Sequence, residues 1–154
     1  MCDSVNKEFI MNLGFYVHTT ADTPLNKDIY ELLNNAIDNN EVEDASLFYN
    51  EVDFNPNKKK FGSFNSTDLW SFSGTLITTS LNNLILATKV INDIKLSYLY
   101  SDEKNLMLLI GATKDVPVIT RSEEEQKEVY RLTGNKPHLV KTFNASELLK
   151  VNHE

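Results

Sequence analysis

Short apolar runs rich in β-formers alternate along this chain with segments whose apolar residues recur every three or four positions, and that alternation leaves few folds open. The run 13–17 (LGFYV) predicts a buried first strand ending at His18-Thr19-Thr20. Thr23 suits a helix N-cap and Pro24 the first helical position. Leu25, Ile29, Leu32, Leu33, Ala36 and Ile37 then mark one helical face that closes at Asp38-Asn39-Asn40. A second strand is expected at 45–50 (ASLFYN), followed by a polar loop over 51–60 and a short extended piece at 61–64. Ser66-Thr67-Asp68 can cap a helical turn carrying Leu69, Trp70 and Phe72.

The pattern then repeats. Residues 74–79 (GTLITT) form the expected third strand, and Leu81, Leu84, Ile85 and Thr88 the next helix face. Residues 94–100 (IKLSYLY) give a fourth strand, and 103–113 a helix with Leu106, Leu109 and Ile110 facing inward. The fifth strand is 116–120 (VPVIT), with Pro117 at its first turn or on an edge. Ser122 and Glu125 have capping-box spacing for a helix that carries Val129 and Leu132 inward and stops at Gly134. A sixth strand at 138–141 and a last helix capped by Asn144 complete the series. Parallel strands need such crossovers, and the crossovers must cover both faces of the sheet. The expected fold is therefore α/β, a doubly wound, mostly parallel sheet of five to six strands with helices on both faces, Rossmann-like in kind. A length of 154 residues suits one domain over 11–154, with 1–10 as an N-terminal extension. Trp70 and the eight phenylalanines are expected mostly in the core.

Composition narrows function by exclusion. A formal net charge of −7 repels phosphate backbones, so no nucleic acid is expected as partner, and Lys58-Lys59-Lys60 reads as a solvated loop. No apolar run approaches the ~20 residues of a membrane span, and no signal peptide is visible at the start. Cys2 is the only cysteine, which fits a reducing, cytoplasmic location without disulfides. No cofactor is expected. The turn after the first strand lacks G-x-G-x-x-G, and neither a phosphate loop nor a G-x-S-x-G elbow is present. His18, His138 and His153 are too scattered for a metal site. His18 and Thr79 stand where a phosphoacceptor receiver domain would carry acidic residues.

Ligands of open α/β sheets sit outside the carboxyl ends of the strands, near the reversal in strand order. That rule selects His18, Thr19 and Thr20; Glu51 and Asp53; Thr79 and Ser80; Ser101 and Asp102; and Arg121 and Ser122. His18 is the candidate catalytic residue, because an imidazole takes or gives a proton near neutral pH; the plainer alternative is a hydrogen-bonded histidine at a strand end. Arg121 and Ser122 could hold an anion at a helix start, although Glu123-Glu124-Glu125 oppose one and Ser122 has work as a cap. Ser66 and Asp68 could bind a sugar hydroxyl or simply cap a helix. Thr19, Thr20, Ser66, Asp68, Thr79, Ser80, Arg121 and Ser122 make up the expected ligand-binding set.

The C-terminal third carries a resemblance. Val118-Ile119-Thr120-Arg121-Ser122-Glu123, the helix to Gly134, the strand 138–141 and Thr142-Phe143-Asn144 resemble the end of the N-terminal, acceptor-side domain of GT-B fold glycosyltransferases. There, a strand ending in a serine leads into a helix, a glycine, a last strand and an asparagine-bearing linker. The resemblance covers 11–145 in outline and 118–144 in detail. It implies a sugar or other polar acceptor as ligand, with His18 near acceptor binding or proton removal. In that family a second domain binds the nucleotide sugar, so a lone acceptor-side half would be catalytically incomplete without a partner domain. Two alternatives stand beside it: a non-catalytic α/β binding or interaction module, and a small phosphate- or nucleotide-binding regulatory domain. A homo-oligomer is compatible with each.

Overall fold

The computed structural model describes residues 12–90, 92–101 and 104–151. The expected extension 1–10, Asp102 and His153 lie outside the described residues. Seven strands form one sheet: β1 (Asn12–Thr19), β2 (Asp44–Glu51), β3 (Gly62–Asn65), β4 (Gly74–Thr78), β5 (Ile94–Leu99), β6 (Val118–Thr120) and β7 (His138–Leu139). Their order is β3-β2-β1-β4-β5-β6-β7, and every neighbouring pair is parallel. The chain thus has the Rossmann-like α/β fold, with one strand more than expected. The extra strand is β3, the short extended piece expected at 61–64, which pairs with β2 from Ser46↔Gly62 to Tyr49↔Asn65. It has four half-buried or exposed residues and follows a crossover without a helix, so its own pattern carries little of a strand's signature.

Side-chain alternation along β1 assigns the two faces. Leu13, Phe15 and Val17 point to the side covered by α1 (Pro24–Asp38) and α5 (Ala145–Lys150), where they meet Leu47, Ile77, Leu99 and Ile119 from neighbouring strands. Tyr16 points to the other side, toward Phe48, Leu76 and the 3₁₀ helix η1 (Ser66–Ser71). Beyond η1 this second layer is built by α2 (Leu81–Ala87), α3 (Leu106–Ala112) and α4 (Glu123–Thr133), through Leu84, Leu109 and Val129 on Tyr98 and Val118.

The helix ends follow local chemistry. Thr23 accepts from the Asn26 N–H, Ser122 from the Glu125 N–H and Asn144 from the Glu147 N–H. Gly134 closes α4 at φ 78°, a left-handed position that glycine adopts without strain. Pro117 lies just ahead of β6, where its missing N–H costs no ladder bond.

Three packing expectations are corrected. Of the expected α2 face, Leu81 and Leu84 are buried, but Ile85 and Thr88 are exposed and Asn83 and Ala87 face inward in their place. Of Leu106, Leu109 and Ile110, only Leu109 is buried, and Met107 beside them is 81% exposed. α3 is a two-turn helix wedged between α2 and α4, so a single line of its residues reaches the sheet. Trp70 is 54% exposed, and Phe54 and Phe64 are also exposed. In a 3₁₀ turn only Leu69 and the following Phe72 face the sheet, which turns Trp70 outward.

Gly14 lets this second layer approach. A Cβ there would stand 3.0 Å from Phe72 Cζ and 3.2 Å from Leu76 Cδ1. Gly14→Ala should therefore overpack the η1 side and cost about 1–3 kcal/mol. Urea unfolding should show a lower midpoint with an unchanged slope. An unchanged midpoint would mean that Phe72 yields freely.

Candidate functional site

Strand order reverses between β1 and β4, and in open α/β sheets ligands bind outside the carboxyl ends of the strands at such a reversal. Three hydrogen bonds lace the surrounding tips. The Thr79 N–H donates to the Tyr16 carbonyl at 3.3 Å, and Thr20 N–H to the Glu51 carbonyl at 3.1 Å. Ser101 Oγ donates to the Thr79 carbonyl at 3.2 Å.

A chain of side chains crosses this point. The Tyr16 hydroxyl donates to Asn50 Oδ1 at 2.7 Å. Asn50 Nδ2 donates to Asn83 Oδ1 at 2.7 Å and lies 3.3 Å from His18 Nδ1. With Asn50 donating, Nδ1 is the acceptor, and the neutral ring carries its proton on Nε2. That Nε2 stands 3.7 Å from Glu51 Oε2, both side chains being exposed. Burial pushes the Tyr16 phenol above its ordinary value, against a smaller opposite pull from hydrogen bonds with Ser66 and Asn50. Tyr16 is thus kept as a neutral donor, with Ser66 beside its hydroxyl.

Asn83 ends the chain. It lies in the first turn of α2, is 1% exposed, and its Nδ2 has no hydrogen-bond partner among the described residues. An unsatisfied buried amide costs about 1–3 kcal/mol, so this position is held at the expense of stability.

The residues expected from sequence divide into three groups. His18 and Ser66 join the Tyr16–Asn50–Asn83 chain, and Thr79 and Ser80 frame it; Ser80 Oγ accepts from the Asn83 N–H at 3.2 Å. Thr19 and Thr20 act on the backbone. Thr19 Oγ1 accepts from the Ala21 N–H, and Thr20 Oγ1 both accepts from the Asp53 N–H and donates to its carbonyl, each at 2.7 Å. These bonds pin the loop after β2, in which Asp53 Oδ1 accepts from the Phe54 N–H.

Arg121, Ser122 and Asp68 are engaged elsewhere. Arg121 Nη1 pairs with Asp28 Oδ2 at 3.0 Å, and its guanidinium lies 4.2 Å over the Phe143 ring, on the α1 side of the sheet. Ser122 caps α4, while Glu125 Oε1 accepts from the Arg121 N–H at 2.9 Å. Asp68 lies in η1 beside a groove at the amino ends of the strands.

Tyr16, Asn50 and Asn83 carry the cluster, and sequence reasoning missed all three. Tyr16 and Asn50 lie inside strand runs, and Asn83 has the spacing of a solvent-facing helix residue. No group of three or more His, Cys, Asp or Glu residues that could hold a metal occurs among the described residues. None of the helices there is long and apolar enough to cross a membrane. Compared with known proteins, the chain matches no family model, no curated protein and no solved structure.

The buried phenol makes the fold sensitive to alkali. The folded state holds the Tyr16 proton to higher pH than the unfolded chain, whose tyrosine titrates near 10.0. Between the two values the folded form binds more protons, so stability is full below pH ~10 and falls as pH rises through the folded value. Burial and the nearby Asp22 raise Tyr30 in the same direction. Melting temperatures measured from pH 8 to 11 should fall at the alkaline end, and less steeply in Tyr16→Phe. An identical alkaline slope in the variant would remove Tyr16 from this account.

Proposed function

We propose that this chain is a binding domain for an uncharged, hydroxyl-rich ligand of the sugar type, taken between the carboxyl ends of β1 and β4, as in a glycosyltransferase acceptor-side domain. One observation carries the reading: Tyr16, Asn50, Asn83 and Ser66 form a continuous set of neutral hydrogen-bonding groups at the switch point, and it ends in a donor with no partner among the described residues. Amides and hydroxyls give and accept hydrogen bonds in the pairs that sugar hydroxyls require. A phosphate would call for a cation. Arg121 is held by Asp28 on the α1 side, and Glu51 places a carboxylate at the rim. In this reading His18 would take the proton that an acceptor hydroxyl loses during transfer. With Asn50 on its Nδ1, it is presented as part of the binding set, and proton removal would require that bond to open. The sugar donor would come from a partner domain, so the chain alone binds without turning over.

The experiment is a thermal-shift and amide chemical-shift screen with glucose, galactose and N-acetylglucosamine, set against UDP-glucose and inorganic phosphate. Simple sugars should shift amides around Tyr16, Asn50 and Ser66. His18→Ala should weaken that response and, because His18 is exposed, change stability by less than about 1 kcal/mol. A flat response to every sugar from the folded protein would reject the proposal. A larger stability loss in His18→Ala would mark that side chain as structural.

A second reading, a non-catalytic interaction module, is favoured by α3. Its sequence LMLLIGA has no charged or hydrogen-bonding side chain, and helices apolar on every side are normally buried. Yet Leu106, Met107 and Ile110 are exposed. A protein silent to sugars that sediments as an oligomer, and becomes monomeric in Met107→Glu, would establish this reading instead.

A further inference from the structure

At the amino ends of the same strands, away from the switch point, lies a groove of about 330 Å³, within the range of small-ligand sites. Its floor comes from β2, where Asp44, Ser46 and Phe48 alternate onto one face. Phe64 of β3 and Phe72 after η1 form its aromatic walls, and Asp68 of η1 supplies a second carboxylate. The three rings form one cluster: Phe48 meets Phe64 at 5.9 Å and Phe72 at 5.4 Å between centroids. Ser46 is 5% exposed, and its hydroxyl makes no hydrogen bond among the described residues. A polar group left unpaired on the floor of a groove is placed for a ligand or for the water that a ligand displaces.

The charge of the groove is one-sided. Asp44 and Asp68 are both exposed, and no lysine, arginine or histidine lines the cavity. Phenylalanine rings present electron-rich faces, which attract cations. A carboxylate pair alone would suit any cation, and an aromatic cluster alone any apolar body. Together they suit a cation that carries its own apolar surface.

We propose that this groove binds a small organic cation of the alkylated ammonium class, its methyl groups against the exposed ring of Phe64, which Phe48 backs, and its charge between Asp44 and Asp68, with a hydroxyl within reach of Ser46. The site uses none of the residues that carry the proposed sugar-type site, and either can fail without the other.

The test is an amide NMR titration with choline chloride and, separately, with its neutral isostere 3,3-dimethylbutan-1-ol, ionic strength being held constant with sodium chloride. Choline should shift Ser46, Ser71 and Ser73, and the neutral compound should leave them in place. Asp68→Asn and Phe64→Leu should each weaken choline binding by about threefold to tenfold. Both side chains are exposed, so both variants should keep the parent spectrum elsewhere. Should Phe64→Leu fail to fold, Asp68→Asn decides alone. Equal responses to the two compounds, choline shifts confined to other surfaces, or no response at tens of millimolar would each overturn the proposal.

Discussion

β1 is hydrogen-bonded along both margins, to β2 from Asn12 to Thr19 and to β4 from Leu13 to Tyr16. Its pleat sorts Leu13, Phe15 and Val17 under α1 and α5, and Tyr16 under η1 and α2. A slip of one residue would exchange the two sets, taking the Tyr16 phenol away from Asn50 and into the α1 layer. Both layers, the strand tips and the groove at the opposite end depend on that register. Gly14 admits Phe72 against the strand, and Tyr16 two residues on delivers its hydroxyl to Asn50.

The element order was legible because capping and periodicity are local. Thr23, Ser122, Gly134 and Asn144 declare their helix ends by their own side chains or by glycine's freedom, and all four occupy those ends. The depth to which a helix buries was not legible, because it depends on neighbours distant in sequence. α3 has the apolar content of a core helix, but flanking helices leave it a single line of contact. β3 is expected from the sequence only as a short extended piece at 61–64; its pairing with β2 as a sheet strand depends on a neighbour that four residues with one phenylalanine do not reveal.

The candidate site was legible in position and less so in membership. Fold geometry selects residues after strands; Thr79 and Ser80 are found there, and His18 stands within β1, one residue before its end. Arg121 also follows a strand, but its partner Asp28 lies 93 residues earlier, and no local pattern reveals that the guanidinium is engaged. Asn83 is hidden for the converse reason. A polar residue in a helix is ordinarily solvated, and only assembly of β2 beside α2 brings Asn50 against it. An amide buried with its Nδ2 unpaired among the described residues resists explanation as packing alone, which makes it informative about use.

Both margins of the sheet are short: β3 has four residues and β7 two. Long exposed margins invite a second polypeptide to add itself as a further strand. Here a joining chain would find too few free amide and carbonyl groups to hold it, so an otherwise entirely parallel, strongly apolar sheet is kept from growing by accretion. The protection comes first from the shortness of these strands, and at β3 Lys59, bonded to Ser63, adds a charge beside the edge.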